Sequence, residues 1–309
     1  MVKLKDTGER LIPEGHNQTL TYGEHISRYI SVLELCRGKL VADIASGSGY
    51  GTKMIASVAE SVIGIDYSDA AIKYSSKNYI SKNIQYKVAD ATKTGLKDSS
   101  VDVVVSLETI EHLSDPSLFI LEVKRILKKD GIFIVSTPND AEFMDGNEFH
   151  IHDFNFNELQ TLISQNFKKN KYYFQGTWFS TGIFDETDFT HLDNKKVVNN
   201  KTFQQSPSTA IYFIAVASDN NEQSLDLVCN NVLSDIWSTK RSIEDGKRAE
   251  EGINEYKKVI TSTEKQLHNI EKELSRVQQE ARIINNSPEM RIGRKIAKPL
   301  RAIKRKVKK

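Results

Sequence analysis

Short apolar runs rich in β-branched residues alternate with segments of helical periodicity between residues 39 and 138. Within the runs, apolar and polar residues do not alternate, which is typical of parallel strands covered on both faces. Strand followed by helix, repeated in this way, predicts a doubly wound α/β sheet. The predicted strands are 39–46, 61–68, 84–90, 101–108 and 131–138.

The helices between these strands are predicted at 51–59, 69–82 and 116–129. The last has clear end signals: Asp115 as N-cap, Pro116 at the first helical position and Gly131 just past the end. A further helix near 155–166 and strands near 171–175 and 209–217 would complete one domain over residues 1–218. Residues 1–37 precede the first strand and are expected to form a lid segment.

From about residue 219 the strand-like runs stop and a heptad pattern begins. We expect a linker over 219–239, an α-helical coiled coil over 240–286 and a tail over 287–309. The coil predicts a homo-oligomer, although its mixed core positions do not choose between two and three strands. Positions a and d hold Ile253, Tyr256, Ile260, Thr263, Leu267, Ile270, Leu274, Val277, Ala281 and Ile284.

The tail carries the basic character of the chain. The formal net charge is +2, but residues 291–309 contain ten lysines and arginines and no acid. Apolar residues also recur there at helical spacing, which predicts a basic amphipathic helix suited to an anionic membrane surface. A partner protein is an alternative, and nucleic acid is less favoured because a nucleic-acid arm has no use for an apolar stripe. The stripe is Ile292, Ile296, Leu300, Ile303 and Val307.

The remaining composition predicts a cytoplasmic protein. The two cysteines, Cys36 and Cys229, lie far apart and indicate neither a disulfide framework nor a zinc site. The N-terminus has no apolar segment of signal-peptide type, and the longest apolar run, 210–217, is too short to span a bilayer. Together with the tail, this predicts a peripheral location at the inner face of the cell membrane.

A glycine-rich loop follows the first predicted strand in VADIASGSGYGT (41–52), and the second strand ends in GIDYS (64–68). A strand, a glycine turn and a helix, followed about twenty residues later by an acid, form a nucleotide-type site. Gly47 and Gly49 would line the loop, and Asp66 could take two ribose hydroxyls. NAD-dependent enzymes share this layout, but the loop is not Gly-x-Gly-x-x-Gly, and a third strand ends in VADA (88–91).

Together these motifs resemble the class I S-adenosylmethionine-dependent methyltransferases over roughly residues 35–217. The resemblance implies a Rossmann-like, seven-stranded methyltransferase sheet and S-adenosylmethionine (SAM) as cofactor. It implies that Asp43 and the loop, with Ala45 in a usual glycine position, hold the methionine part. The other implied cofactor residues are Asp66 for the ribose, the neighbouring Tyr67, Asp90 with the Ala91 backbone for the adenine, and Leu107 beside the sulfonium.

Two residues of the lid segment are further candidates. Arg28 could meet the methionine carboxylate, and His25 could face the acceptor.

Strand four runs into SLETIEHL (106–113), which places Glu108, Glu111 and His112 where one helical turn would bring them onto one face. In one interpretation His112 is a general base whose tautomer Glu111 fixes. In a second, Glu108, Glu111 and His112 bind Mg²⁺, joined by His150 or His152. In a third, these residues only cap the next helix. The run resembles a Glu-x-x-Glu-His motif of ubiquinone-pathway O-methyltransferases and small-RNA 2′-O-methyltransferases, and those enzymes use the motif to bind magnesium.

The combination of GERLIP (8–13), YGEHISRY (22–29), SLETIEHL and NEFHIHDF (147–154) resembles methyltransferases of bacterial surface-polysaccharide (O-antigen) biosynthesis. That resemblance implies methylation of the terminal sugar or terminal phosphate of a lipid-linked, membrane-associated glycan, which caps chain growth. The coiled coil would be a spacer, and the tail would bind the membrane or a glycosyltransferase. An RNA 2′-O-methyltransferase, a quinone-type small-molecule O-methyltransferase and a non-enzymatic scaffold that presents the coil remain alternatives.

Overall fold

Strands and helices alternate along the first of two compact units, Met1–Ile236, as the apolar runs predict. The computed structural model describes residues 4, 10–13, 19–139, 149–177, 206–220, 222, 224–229, 237–288, 291–293 and 295. The described helices of this unit are α1 (Leu20–Cys36), α2 (Tyr50–Ala56), α3 (Asp69–Asn78), α4 (Pro116–Ile126) and α5 (Phe156–Asn166). The strands are β1 (Leu40–Ile44), β2 (Ser61–Asp66), β3 (Ile84–Val88), β4 (Val101–Leu107), β5 (Leu127–Pro138), β6 (Lys169–Gln175) and β7 (Tyr212–Ser218).

The seven strands form one sheet in the order β3-β2-β1-β4-β5-β7-β6. All neighbouring pairs are parallel except those of β7, which runs antiparallel to both β5 and β6. The predicted doubly wound, Rossmann-like sheet is therefore confirmed. Strands β1 and β4 are adjacent although they are distant in sequence, so the chain switches direction across the sheet there. Ligands of open α/β sheets bind at such a switch point, outside the carboxyl ends of the strands.

Each face of the sheet is covered by its own group of buried apolar residues, which explains the absence of alternation in the strands. Val103 and Val105 of β4 pack on the face that α1 and α2 cover, whereas Val104 packs on the opposite face. Helices α4 and α5 cover that opposite face with residues such as Phe119 and Ile163.

The boundary between α4 and β5 differs from the prediction. The N-cap is confirmed, because Asp115 accepts hydrogen bonds from the backbone N–H groups of Ser117 and Leu118. The predicted helix over 116–129 is too long, since α4 ends at Ile126 and β5 starts at once with Leu127, which pairs with Val101. Strand pairing therefore overrides the helical periodicity of residues 127–129.

The predicted domain end at 218 and linker from 219 come too early. Leu225 and Leu227 are buried in the same core group as α1. The Tyr173 hydroxyl donates to the Leu225 carbonyl at 2.9 Å and accepts from the Leu227 N–H at 3.0 Å. The Val228 N–H donates to the carbonyl of Ser31 at 3.1 Å. This short apolar segment therefore belongs to the first unit.

The second unit, Trp237–Lys309, contains one described 50-residue helix, α6 (Trp237–Asn286). It starts three residues before the predicted 240, and the predicted heptad residues Ile260, Leu267, Ile270, Leu274 and Val277 are exposed in the single chain. Pairing of such helices stays a prediction. Most of the tail, of the lid segment before Leu20 and of residues 176–208 lies outside the described residues. None of the helices in the described ranges has the length and apolarity needed to cross a membrane.

Candidate active site

The glycine loop between β1 and α2 has three residues in the left-handed backbone region: Ala45 at φ 61°, Gly47 at φ 57° and Gly49 at φ 91°. Gly49 precedes α2 and has no room for a side chain, since a Cβ there would lie 2.4 Å from the Cβ of Ser75. The left-handed conformation of Ala45 explains why glycine suits this position better. The loop can therefore bring its backbone close to a ligand.

Asp43, at the end of β1, is fully buried below this loop. The Thr52 hydroxyl donates to its Oδ2 at 2.5 Å, whereas Oδ1 has no hydrogen-bond donor among the described residues. Burial raises the pKa of this carboxyl to about 7, and the nearby Asp66 adds to the effect. A buried acceptor with an unused oxygen fits a ligand that supplies a donor or a positive charge.

Asp66 ends β2 and faces the loop, as the ribose assignment requires. Its carboxylate accepts from the N–H of Gly47 and from the N–H of Ser68, each at 2.9 Å. Nη2 of Arg10 lies 3.6 Å from Oδ1, and the Ser48 hydroxyl donates to the Leu11 carbonyl at 2.7 Å. Residues 10–11 of the lid segment thus contact the loop. The sequence does not predict the role of Arg10, because only the folded chain brings this residue close to Asp66.

The other predicted cofactor residues lie at the same edge of the sheet. Tyr67, next to Asp66, is 78% exposed, and Leu107 ends β4 half-buried. Asp90 lies two residues beyond β3, where its Oδ1 accepts from the N–H and the hydroxyl of Thr92 at 2.7 and 2.6 Å. Ala91 packs partly against the core. The predicted cofactor residues that follow or end these strands therefore all lie at one edge of the sheet, at the carboxyl ends of β1, β2, β3 and β4.

Arg28 is a buried cation from α1, with only 1% of its surface exposed. Its Nη1 donates to Oε1 of Gln175 at 2.8 Å, and its guanidinium carbon lies 4.2 Å from the centre of the Tyr212 ring. Nη2 lies 3.8 Å from Oε2 of Glu108, and neither Nη2 nor Nε has a hydrogen-bond acceptor among the described residues. These unused donors fit a ligand carboxylate.

His25, one helical turn before Arg28, has its Nδ1 2.9 Å from the Tyr50 hydroxyl. Burial, together with Arg28, lowers the pKa of His25 well below its ordinary value, so the ring is neutral near pH 7.

Glu108 lies outside the helical turn that carries Glu111 and His112, contrary to the prediction that one turn brings all three onto one face. Its backbone is left-handed at φ 55°, and only Ile110–His112 form a 3₁₀ turn. The Ser136 hydroxyl donates to its Oε1 at 2.5 Å, and its other oxygen faces Arg28. The Glu108 carboxylate is therefore held by Ser136 and Arg28.

His112 is held by a different partner from the one predicted. Its Nδ1 lies 2.9 Å from the Phe149 carbonyl, which can only accept, so in the neutral ring Nδ1 carries the proton and Nε2 the lone pair. Oε1 of Glu111 is 3.8 Å from Nε2, too far for a hydrogen bond. The Phe149 carbonyl rather than Glu111 therefore sets the tautomer.

Glu111 is 1% exposed, and burial, with the charge of Glu108, raises its pKa well above the ordinary value. Its backbone carbonyl accepts from the N–H groups of Ile151 and His152, which fixes the segment that carries His150.

Ligand atoms of Glu111, His112 and His150 all lie within 4.8 Å of one another. Nε2 of His152 lies 3.4 Å from the Ser114 carbonyl, and neither His152 nor Glu108 joins this group. Of the predicted metal ligands, three therefore come together.

The strand order, the glycine loop and the placement of Asp66 in the first unit are similar to those of class I SAM-dependent methyltransferases. Residues 42–135 match the family described as "Methyltransferase domain".

Three curated relatives agree with this class. The chain is 37% identical over 162 residues to a "Probable S-adenosylmethionine-dependent methyltransferase" of Mycolicibacterium smegmatis, covering 51% of this chain and 62% of that protein. A "Probable S-adenosylmethionine-dependent methyltransferase" of Mycobacterium tuberculosis is 35% identical over 162 residues, covering 51% of this chain and 58% of that protein. The "Ubiquinone biosynthesis O-methyltransferase" of Pelagibacter ubique is 38% identical over 101 residues, covering 31% and 41%. The chain spans about six-tenths of the length of the two mycobacterial relatives.

Proposed function

We propose that the chain transfers the methyl group of SAM to an oxygen atom, with His112 as the general base. The observation that carries this proposal is the hydrogen bond from His112 Nδ1 to the Phe149 carbonyl, which leaves Nε2 able to accept a proton. When bound, SAM supplies a methyl group activated by its sulfonium. The loop, Asp43 and Asp66 hold and orient it, while Nε2 takes the proton of the acceptor hydroxyl.

Replacing His112 tests this role. His112→Gln should lower kcat about 10²- to 10⁴-fold while the Kd for S-adenosylhomocysteine stays unchanged, because the residue acts on the acceptor. His268→Gln, at an exposed histidine of α6, is the matched control and should behave like the wild type. Unchanged kcat in the His112 variant would refute the base role.

A metal-assisted reaction is the second candidate, supported by the proximity of Glu111, His112 and His150. Carboxylate and imidazole ligands can hold a divalent cation such as Mg²⁺ or Mn²⁺, which would lower the pKa of an acceptor hydroxyl. Chelation by EDTA distinguishes the two mechanisms. Loss of activity that Mg²⁺ restores, together with the same loss in His150→Gln, would support the metal. Full activity in EDTA would support the base alone.

For the acceptor, we propose the terminal sugar, or a terminal phosphate, of a membrane-associated bacterial glycan, whose methylation caps chain growth. The support comes from the sequence: a long heptad helix followed by a basic, apolar-striped tail suits an enzyme kept near a lipid-linked polymer. Incubation with methyl-labelled SAM and a host lysate tests this. Label in the lipid-linked polysaccharide would support the proposal, whereas label in RNA or quinone would transfer it to those acceptors. An absence of label in every fraction, despite SAM binding, would favour a scaffold.

We further propose that α6 makes the chain a homo-oligomer and that the tail binds an anionic membrane or a glycosyltransferase. The exposed heptad residues of α6 support the first, and the ten basic residues of 291–309 support the second. Leu267→Lys with Leu274→Lys should give a monomer in light scattering. Deletion of 288–309 should abolish flotation with anionic liposomes, and equal flotation of both chains would refute membrane binding.

A further inference from the structure

The pair of buried Arg28 and partly buried Glu108 is an incomplete contact. The 3.8 Å between Nη2 and Oε2 exceeds hydrogen-bond length, and Nη2 and Nε have no acceptor among the described residues. Burial of opposite charges is stabilising only when hydrogen bonds use their remaining capacity. A ligand that supplies both an acceptor for Arg28 and a donor for Glu108 would complete the pair.

Glu108 is also held in a costly conformation at this point. Its left-handed backbone, φ 55°, is rare for a residue with a side chain. The backbone N–H of Glu108 donates to the Ser136 carbonyl at 3.2 Å and to the Ser136 hydroxyl at 3.1 Å, and that hydroxyl donates to Oε1. Such strain, fixed by specific contacts, marks functional positions. Here it aims one carboxylate oxygen at Arg28.

We propose that Glu108 binds the α-ammonium group of the cofactor while Arg28 binds its α-carboxylate. The methionyl end of SAM carries these two opposite charges on one carbon atom, which matches an arginine and a glutamate facing each other across a short gap. The pair lies where the end of β4 meets α1, beside the half-buried Leu107. This inference rests on the proposed SAM site and assigns Glu108 to the cofactor rather than to a metal.

The alternatives are less consistent with the contacts. A phosphate could accept hydrogen bonds from Arg28, but Glu108 would repel its negative charge. An ionised phosphate also has no donor for the carboxylate of Glu108. Asp43, also buried with an unused oxygen, does not exclude the assignment, because an ammonium group has three donors.

Cofactor analogues that lack one charged group separate the two halves of the pair. S-adenosylhomocysteine carries both groups, decarboxylated SAM keeps only the ammonium, and 5′-methylthioadenosine has neither. Glu108→Gln keeps the size of the side chain and its contact with Ser136. Titration calorimetry on the full chain should show that Glu108→Gln binds S-adenosylhomocysteine and decarboxylated SAM about ten- to a hundredfold more weakly than the wild type does. Binding of 5′-methylthioadenosine should stay unchanged, which also shows that the pocket is intact.

Arg28→Met should weaken S-adenosylhomocysteine by a similar factor but leave decarboxylated SAM unaffected. Glu122→Gln is the matched control, because Glu122 is also a glutamate paired with an arginine, Arg125, at 2.8 Å. It should leave all three affinities unchanged. Equal weakening of 5′-methylthioadenosine in Glu108→Gln, or unchanged S-adenosylhomocysteine binding, would overturn the assignment. Failure of the wild type to bind S-adenosylhomocysteine at all would instead refute the proposed function.

Discussion

At the scale of single residues, Asp43 shows how the cofactor site costs stability. Its pKa in the folded chain is about 7, above the ordinary value of 3.8, because burial disfavours the charged form. The folded state therefore binds this proton more tightly than the unfolded state. The stability that it contributes is fully present below about pH 4 and is lost as pH rises through 7.

Asp43→Asn should therefore raise the free energy of unfolding at pH 8, by up to about 4 kcal/mol, and flatten its dependence between pH 4 and 7. Urea unfolding at several pH values measures this. Asp102→Asn is the comparison, and it should instead lower the free energy of unfolding at pH 8, because the pKa of Asp102 is shifted in the opposite direction. Partial burial would raise the Asp102 pKa, but hydrogen bonds from Lys128 and the Leu40 N–H outweigh it and lower the value. A loss of stability in Asp43→Asn at pH 8 would contradict this account.

Binding of SAM should show the reverse trend at Asp43. A cation from the ligand favours the charged carboxylate, so we expect affinity to increase as pH rises from 6 to 8 in the wild type and to lose this dependence in Asp43→Asn. A pH series of calorimetric titrations tests this. Identical slopes for both chains would show that Asp43 does not meet the ligand charge.

At the scale of elements, the loop between β1 and α2 depends on close contact with α3. Gly49→Ala would add both left-handed strain and a Cβ 2.4 Å from that of Ser75, so we expect a loss of about 3 kcal/mol or more and weaker cofactor binding. Gly38→Ala is the control, since Gly38 is also left-handed, at φ 66°, but a Cβ there meets nothing within 4 Å. Gly38→Ala should lower the free energy of unfolding by only about 1 kcal/mol. Equal costs in urea unfolding would refute the steric argument.

The elements also show which parts of the site the sequence could predict. The glycine loop and Asp66 follow from a local motif whose spacing fixes their place at the strand ends. The Phe149 contact of His112 joins residues 37 positions apart, and the Arg10 contact of Asp66 joins lid and sheet, so neither follows from local spacing. Glu108 was misplaced because a single left-handed residue broke the helical spacing that was expected for 108–112.

At the scale of the whole molecule, the position of the domain end has a measurable consequence. Truncation after residue 229 should keep the stability of the first unit, whereas truncation after 218 removes buried Leu225 and Leu227. The shorter chain should lose about 2–3 kcal/mol of unfolding free energy, because each buried leucine stabilises by about 1.5–3 kcal/mol before the entropy of ordering is subtracted. Equal stability of the two chains in urea would show that these leucines contribute little.

The central claim is that the carboxyl edge of the sheet is a SAM site, and calorimetric titration of the full chain with S-adenosylhomocysteine tests it most directly. We expect one site per chain, at least tenfold weaker binding in Asp66→Ala, because the ribose hydroxyls lose their acceptor, and no competition by NAD. Unchanged affinity in Asp66→Ala, or displacement of the ligand by NAD, would contradict the account.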